Sequence, residues 1–241
     1  MKKGIFFLAG LAASVLSLWN PPANFAQEPL PFYLKDRGPG ISTSMFGTYI
    51  RKGELIIYPF FEYYYDNNME YKPSELGFGV EEDFRGKYRA SEGLVFLGYG
   101  LSDRIAIEFE AAMIQASLSK SSMDSSAMPQ KLSESGLGDV QTQLNWRWLK
   151  ESDRRPELFS YIEVVFPHHK NKVLIGTGEW ETKAGIGLIR GFVWGTMTVR
   201  AAIEHAGSTT DLGEWAVEYF KRLSPSWRLY LGVEGAQDEL E

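Results

Sequence analysis

The stretch Asp139-Val140-Gln141-Thr142-Gln143-Leu144-Asn145-Trp146-Arg147-Trp148 separates by parity into two unlike sets. Val140, Thr142, Leu144, Trp146 and Trp148 share one side, and Asp139, Gln141, Gln143, Asn145 and Arg147 share the other. Successive side chains of a strand point to opposite faces, so this is a strand with one apolar and one polar face. A helix would scatter the same polar residues around its circumference.

The pattern recurs on both sides of this stretch. Residues 105–114 set Ile105, Ile107, Phe109, Ala111 and Met113 against Ala106, Glu108, Glu110, Ala112 and Ile114. Residues 180–189 set Trp180, Thr182, Ala184, Ile186 and Leu188 against Glu181, Lys183, Gly185, Gly187 and Ile189. Nine strands are predicted, at 54–65, 93–101, 104–116, 138–149, 157–166, 179–190, 194–205, 213–223 and 227–237. Their connections alternate in length. Short ones lie at 102–103, 150–156, 191–193 and 224–226, and long ones at 66–92, 117–137, 167–178 and 206–212, with the Ser-rich 117–135 read as a loop. Strict short–long alternation is the habit of bacterial outer-membrane barrels. The expected fold is therefore an all-β, antiparallel, up-and-down transmembrane β-barrel.

The two faces differ most in charge. The apolar faces are read as free of Asp, Glu, Lys and Arg. The opposite faces carry Glu62, Glu108, Glu110, Asp139, Arg147, Glu163, Glu181, Lys183, Arg200, Glu204, Glu218 and Glu234, which is nine acids against three bases. With Gln141 and Gln143, these are the expected pore-lining residues. An arginine or lysine facing lipid at mid-bilayer costs about 2–4 kcal/mol, whereas a water-filled lumen accommodates charge. A soluble lipocalin-like barrel would reverse the arrangement, and alternation alone does not say which face is inside. Aromatic placement bears on the choice. Trp146, Trp148, Trp194 and Trp227 lie near short turns, and Trp180, Trp215, Tyr63 and Tyr65 near long loops, as expected of rings at two membrane–water interfaces. Gly98, Gly185, Gly187 and Gly232 on the polar face leave room in the lumen or let large side chains approach.

The chain has 241 residues, a formal net charge of −6 and no cysteine, which excludes a disulfide scaffold and cysteine-ligated metals. The acidic balance argues against a nucleic-acid partner. Lys2 and Lys3 precede an apolar run from Gly4 to Leu18 and then Trp19-Asn20-Pro21-Pro22. That order reads as a secretory signal peptide, residues 1–26, with cleavage after Ala26. Residues 27–53 are then a periplasmic or luminal segment, and 54–241 the barrel.

Three stretches carry a family resemblance: Ser133-Glu134-Ser135-Gly136-Leu137-Gly138-Asp139-Val140, the hairpin Leu97-Gly98-Tyr99-Gly100-Leu101-Ser102-Asp103-Arg104, and Leu174-Ile175-Gly176-Thr177-Gly178 before Trp180. Over residues 50–241 the chain resembles the bacterial outer-membrane channels described for the meta-pathway of phenol degradation. The resemblance implies passage of small molecules, aromatic or hydrophobic ones included, and brings no catalytic residue. It also implies about twelve strands, so the nine read here suggest a chain that stops short of a full barrel, ending Gln237-Asp238-Glu239-Leu240-Glu241.

Chemistry is sparse. His168 and His169 fall on a long connection and His205 at a strand end, with no Ser-His-Asp grouping at matching height. Adjacent residues in extended chain point apart, so a metal on the His168–His169 pair is not expected. Glu108 and Glu110 share a face and are expected to set ion preference or to pair with Arg147 and Arg200. Gly136-Leu137-Gly138 runs into a strand, so it lacks the helix of a dinucleotide site. No enzyme activity, cofactor or metal is expected. The expected partners are outer-membrane lipid, a small-molecule or ion permeant, and the barrel-assembly machinery. Nothing resembles an energy-coupling module, so transport would be passive. The alternatives are a soluble exported β-barrel binding an apolar ligand, or a structural or enzymatic outer-membrane barrel.

Overall fold

The computed structural model describes residues 30–236 other than Phe46, Lys170, Gly207 and Ser208, so the expected signal peptide lies outside the described residues. Two short strands, β1 (Ile41–Ser42) and β2 (Tyr49–Ile50), pair as a small hairpin. Nine strands follow: β3 (Leu55–Tyr71), β4 (Phe84–Gly100), β5 (Ile105–Ser119), β6 (Lys131–Leu149), β7 (Glu157–Phe166), β8 (Glu181–Phe192), β9 (Gly195–Ala206), β10 (Thr209–Arg222) and β11 (Arg228–Ala236). They form one antiparallel sheet in sequence order, β3 and β11 at its edges, curled into a half-barrel.

Burial decides which face is inside. On β5 and β6 the polar residues Glu108, Gln143, Asn145 and Arg147 are 2–4% exposed, whereas Phe109 is 43%, Trp146 39% and Trp148 50% exposed. The apolar side is the convex one and the charged side the concave one, the reverse of a soluble barrel. The outward band on β5 runs from Ile105 to Met113, nine residues. At about 3.4 Å per residue and a tilt of about 40°, it spans on the order of 20 Å, close to the band of a membrane barrel.

The same band explains a correction. β3 runs to Tyr71, β4 starts at Phe84, β5 reaches Ser119 and β6 starts at Lys131, where the sequence suggests loops at 66–92 and 117–137. Beyond the row Phe61–Gly93–Met113–Leu137 the outward residues become Ser91, Arg89 and Lys87 on β4, Gln115, Ser117 and Ser119 on β5, and Ser135, Ser133 and Lys131 on β6. These strand ends are polar on the outside, so the alternation that marks the lower strands is missing. Tyr63 and Tyr65 sit at this change, and the Arg89 guanidinium lies 5.2 Å from the Tyr65 ring centre. Likewise β10 starts at Thr209, so most of the connection read at 206–212 is strand.

The uncharged outward face has two exceptions at the short-turn rim. By parity Arg190 and Lys221 point outward, but Arg190 donates to the carbonyls of Ser152, Asp153 and Arg155, and Lys221 to that of Val193. Long side chains at a rim can reach polar partners that mid-sheet positions lack.

Candidate functional site: the concave face and its strap

Residues 31–50 cross the concave face as a strap at the short-turn end. The strap opens with a 3-10 turn at Phe32–Leu34 and closes with the β1–β2 hairpin. Its seat is cut by glycines of the sheet. A methyl group on Gly191 would overlap the Tyr33 carbonyl, one on Gly98 the Ile50 side chain, and one on Gly100 the Arg51 backbone. Ile41 and Ile50 are at most 1% exposed, and burial of each contributes roughly 1.5–3 kcal/mol.

A charged cluster holds the strap. Arg37 Nη2 donates to Glu151 Oε2 at 3.0 Å and to Glu157 Oε2 at 2.8 Å, and all three side chains are at most 2% exposed. Glu157 also faces Arg147 Nε at 3.0 Å, as an ion pair rather than an aligned hydrogen bond. Arg147 in turn donates to the carbonyls of Pro39, at 3.1 Å, and Gly40. Glu151 accepts the Gly191 amide at 2.7 Å. Burial disfavours the Arg37 guanidinium, but Glu157 and Glu151 outweigh it and hold its pKa above the ordinary value. At the far side of the strap, Asp36 accepts the Arg222 amide at 3.2 Å and pairs with Lys221 at 3.4 Å. Ser44 donates to Glu108 through both its amide, at 2.9 Å, and its hydroxyl.

Above the strap the wall is polar and heavily paired. Strand register lines up Gly98, Glu108, Gln143, Glu163, Lys183 and Glu204 across β4 to β9. Lys183 Nζ lies 2.9 Å from Glu214, 3.1 Å from Glu204 and 3.9 Å from Glu163. Arg200 pairs with Glu218 at 3.3 Å. The expected partnership of Glu108 and Glu110 with Arg147 and Arg200 is not what Glu108 and Arg147 adopt. Register sets Arg147 opposite Phe159, away from the Glu108–Gln143 pair, so Arg147 meets Glu157 while Glu108 takes Ser44 and Asn145. Between strap and wall a narrow polar cleft of about 20 Å³ remains, lined in part by Thr43, Thr48, Gln143, Tyr161, Arg200 and Glu218.

The predicted residues are distributed as follows. Glu108, Gln143 and Arg147 are buried on the concave face, Glu110, Gln141, Glu163, Glu181, Lys183, Arg200, Glu204 and Glu218 half-buried there, and Glu62 and Glu234 exposed on the edge strands. Asp139 serves the 167–180 connection instead, accepting the His168 amide at 3.0 Å and the Thr177 amide at 2.8 Å. This connection folds inward. Ile175, 3% exposed, packs against the small Ala90 and Ala116 of the concave face. Tyr63, Tyr65, Trp146, Trp148, Trp180, Trp194, Trp215 and Trp227 are all exposed on the outside, between 39% and 72%. Gly185 and Gly187 make room for the Tyr161 and Phe159 rings, so they admit side chains rather than widen the lumen. The His168 and His169 rings do not point apart but meet edge to face with centres 4.4 Å apart. Among the described residues no group of three or more His, Cys, Asp or Glu could hold a metal.

Arg37, Asp36, Glu151 and Glu157 are the residues missing from the sequence reading. The strap has no two-residue period, and Glu151 sits in a turn. Glu157, on the polar parity of a predicted strand, was the one with a usable signal.

No protein-family model matches the sequence, and no curated protein matches it. A solved outer membrane channel from Pseudomonas putida is similar in structure, with a TM-score of 0.51 and 14% identity over 76% of this chain and 72% of that one. At that identity the likeness speaks for the fold alone, an antiparallel barrel sheet.

Proposed function

We propose that this protein is a bacterial outer-membrane β-barrel that works as a passive channel rather than an enzyme. The observation that carries the proposal is the inverted polarity of the sheet. A convex face of exposed Phe, Ile, Leu and Trp needs lipid, and a concave face bearing Glu108, Glu163, Lys183 and Arg200 needs water or ion partners. The structural similarity to an outer membrane channel supports it. A soluble barrel binding an apolar ligand would bury the opposite face.

In this reading the charged concave residues line the pore and the outward Trp and Tyr residues meet the lipid interfaces. Residues 31–50 lie in the lumen and narrow it, and residues 1–26 direct export and are removed. The nine acids and three bases of the concave set favour cations. The resemblance to channels of the phenol meta-pathway supports small aromatic or hydrophobic permeants. Insertion would depend on the barrel-assembly machinery. Cell fractionation tests the location. Recovery in the outer membrane, released only by detergent, is expected, and recovery in the periplasm without detergent overturns the proposal.

A further inference from the structure

We propose that the outward side of the sheet at its long-loop end binds a glycolipid whose headgroup is a phosphorylated saccharide. The proposal rests on the reading of the chain as an outer-membrane barrel and goes beyond it by naming a lipid partner. Strand register builds the site. Lys87 of β4, Ser119 of β5 and Lys131 of β6 stand opposite one another in one outward row. The next outward row towards the membrane sets Arg89 between Tyr65 and Ser117. Lys87, Arg89 and Lys131 are all exposed. Two strand spacings, about 10 Å, separate the lysines, so both can reach one phosphorylated headgroup.

Charge and height select the partner. The chain carries a net charge of −6, yet this patch is basic. Glu92 and Glu134, on the same strand ends, have the opposite parity and face the concave side. Glu70 shares the outward side but is paired with Arg85. Among the described residues neither Lys87 nor Lys131 has an ion pair. Lysine and arginine are the side chains that bind phosphate, and serine hydroxyls can exchange hydrogen bonds with a sugar. The apolar band ends at Met113, and Ser119 stands six residues further along β5. At about 3.4 Å per residue and a tilt of about 40°, the lysine row lies roughly 15 Å beyond the band. The headgroup layer of an ordinary phospholipid is only about 5–8 Å deep on each side. A phosphate carried on a saccharide reaches the lysine row, and a phospholipid phosphate falls short of it.

Native mass spectrometry of the detergent-solubilised full chain tests the proposal without requiring conduction. Rough-type lipopolysaccharide is expected to bind at least about tenfold more tightly than phosphatidylglycerol, which offers a phosphate without the saccharide. Lys87→Gln combined with Lys131→Gln is expected to weaken lipopolysaccharide binding at least about tenfold, because each basic residue near an anionic lipid adds to the attraction. Ser119→Glu, which sets a carboxylate between the two lysines, is expected to weaken it as well. Lys52→Gln combined with Arg154→Gln removes the same charge from exposed positions at the short-turn end and should leave the affinity unchanged. Each variant is compared as protein that keeps its heat-modifiable folded mobility. Equal binding of phosphatidylglycerol, unchanged affinity in the folded Lys87 and Lys131 double variant, or an equal loss in the short-turn control would overturn the proposal. Fractionation reads the location separately. An outer-membrane protein without this preference overturns the glycolipid site alone, whereas recovery in the periplasm overturns the channel reading with it.

Discussion

Replacing Arg37 by Met removes the charge that clamps the strap while keeping a long apolar side chain. Glu151 and Glu157 then lose a buried partner at 3.0 and 2.8 Å. Removing one partner of a buried pair costs about 3–5 kcal/mol, since the other charge stays behind uncompensated. Here both carboxylates keep something. Glu157 retains Arg147 at 3.0 Å, and Glu151 retains the Gly191 amide and Arg190 at 3.5 Å. The lower figure, about 3 kcal/mol, is therefore expected, and it corresponds to roughly a hundredfold change in the ratio of seated to released strap. Burial of Ile41 and Ile50 and the Asp36 and Ser44 contacts remain, so the strap loosens without the barrel unfolding.

The absence of cysteine makes the assay clean. Ser42 belongs to the strap and is only 8% exposed in its seat, so Ser42→Cys introduces one reporter thiol that is reached only when the strap lifts. Labelling should be slow in Ser42→Cys alone and about a hundredfold faster when Arg37→Met is added, provided reclosing outpaces labelling. Lys35→Met removes an equal charge at an exposed neighbour and should leave the rate unchanged. Equal labelling rates with and without Arg37, in protein that keeps its folded mobility, would refute the clamp.

Phe109→Arg, in the middle of the convex band, should destabilise the lipid-inserted protein by about 2–4 kcal/mol, whereas Gln141→Arg on the concave face should cost far less; urea titration from lipid vesicles compares them. Lys183→Gln leaves Glu163, Glu204 and Glu214 without their shared cation and should raise the cation-to-anion permeability ratio in a salt gradient, so a shift towards anions would contradict the luminal placement. Burial pushes the Asp124 carboxyl up, but hydrogen bonds from Ser126 and Tyr71, with Lys120 nearby, outweigh it and hold the pKa below the ordinary carboxylate value. Its contribution to the 120–130 turn should therefore be complete above the unfolded value of about 3.9 and disappear as pH falls through the lower folded value, which amide exchange at Ser126 would follow and Asp124→Asn would remove.

The sheet was legible because lipid and water impose opposite demands on alternate residues, as in Val140 to Trp148. Where that contrast stops, the two-residue period stops with it. The outer ends of β4, β5 and β6 carry Arg89, Ser117 and Ser133 outward, and nothing in their pattern separates strand from loop. The strap was legible as a segment but not in its seat. Arg37 meets Glu151 and Glu157 across 114 and 120 residues, and such pairings leave no local period. Parity groups the charges of one face, but it does not give height along the barrel. Hence parity puts Arg147 on the face of Glu108 although its ion-pair partner is Glu157, and puts Asp139 on the pore face although it accepts from the 167–180 connection.

Planar-bilayer recording of the purified full chain tests the central claim most directly. A stepwise conductance that prefers cations is expected from a concave face on which acids outnumber bases. No conductance, or a preference for anions, would contradict it.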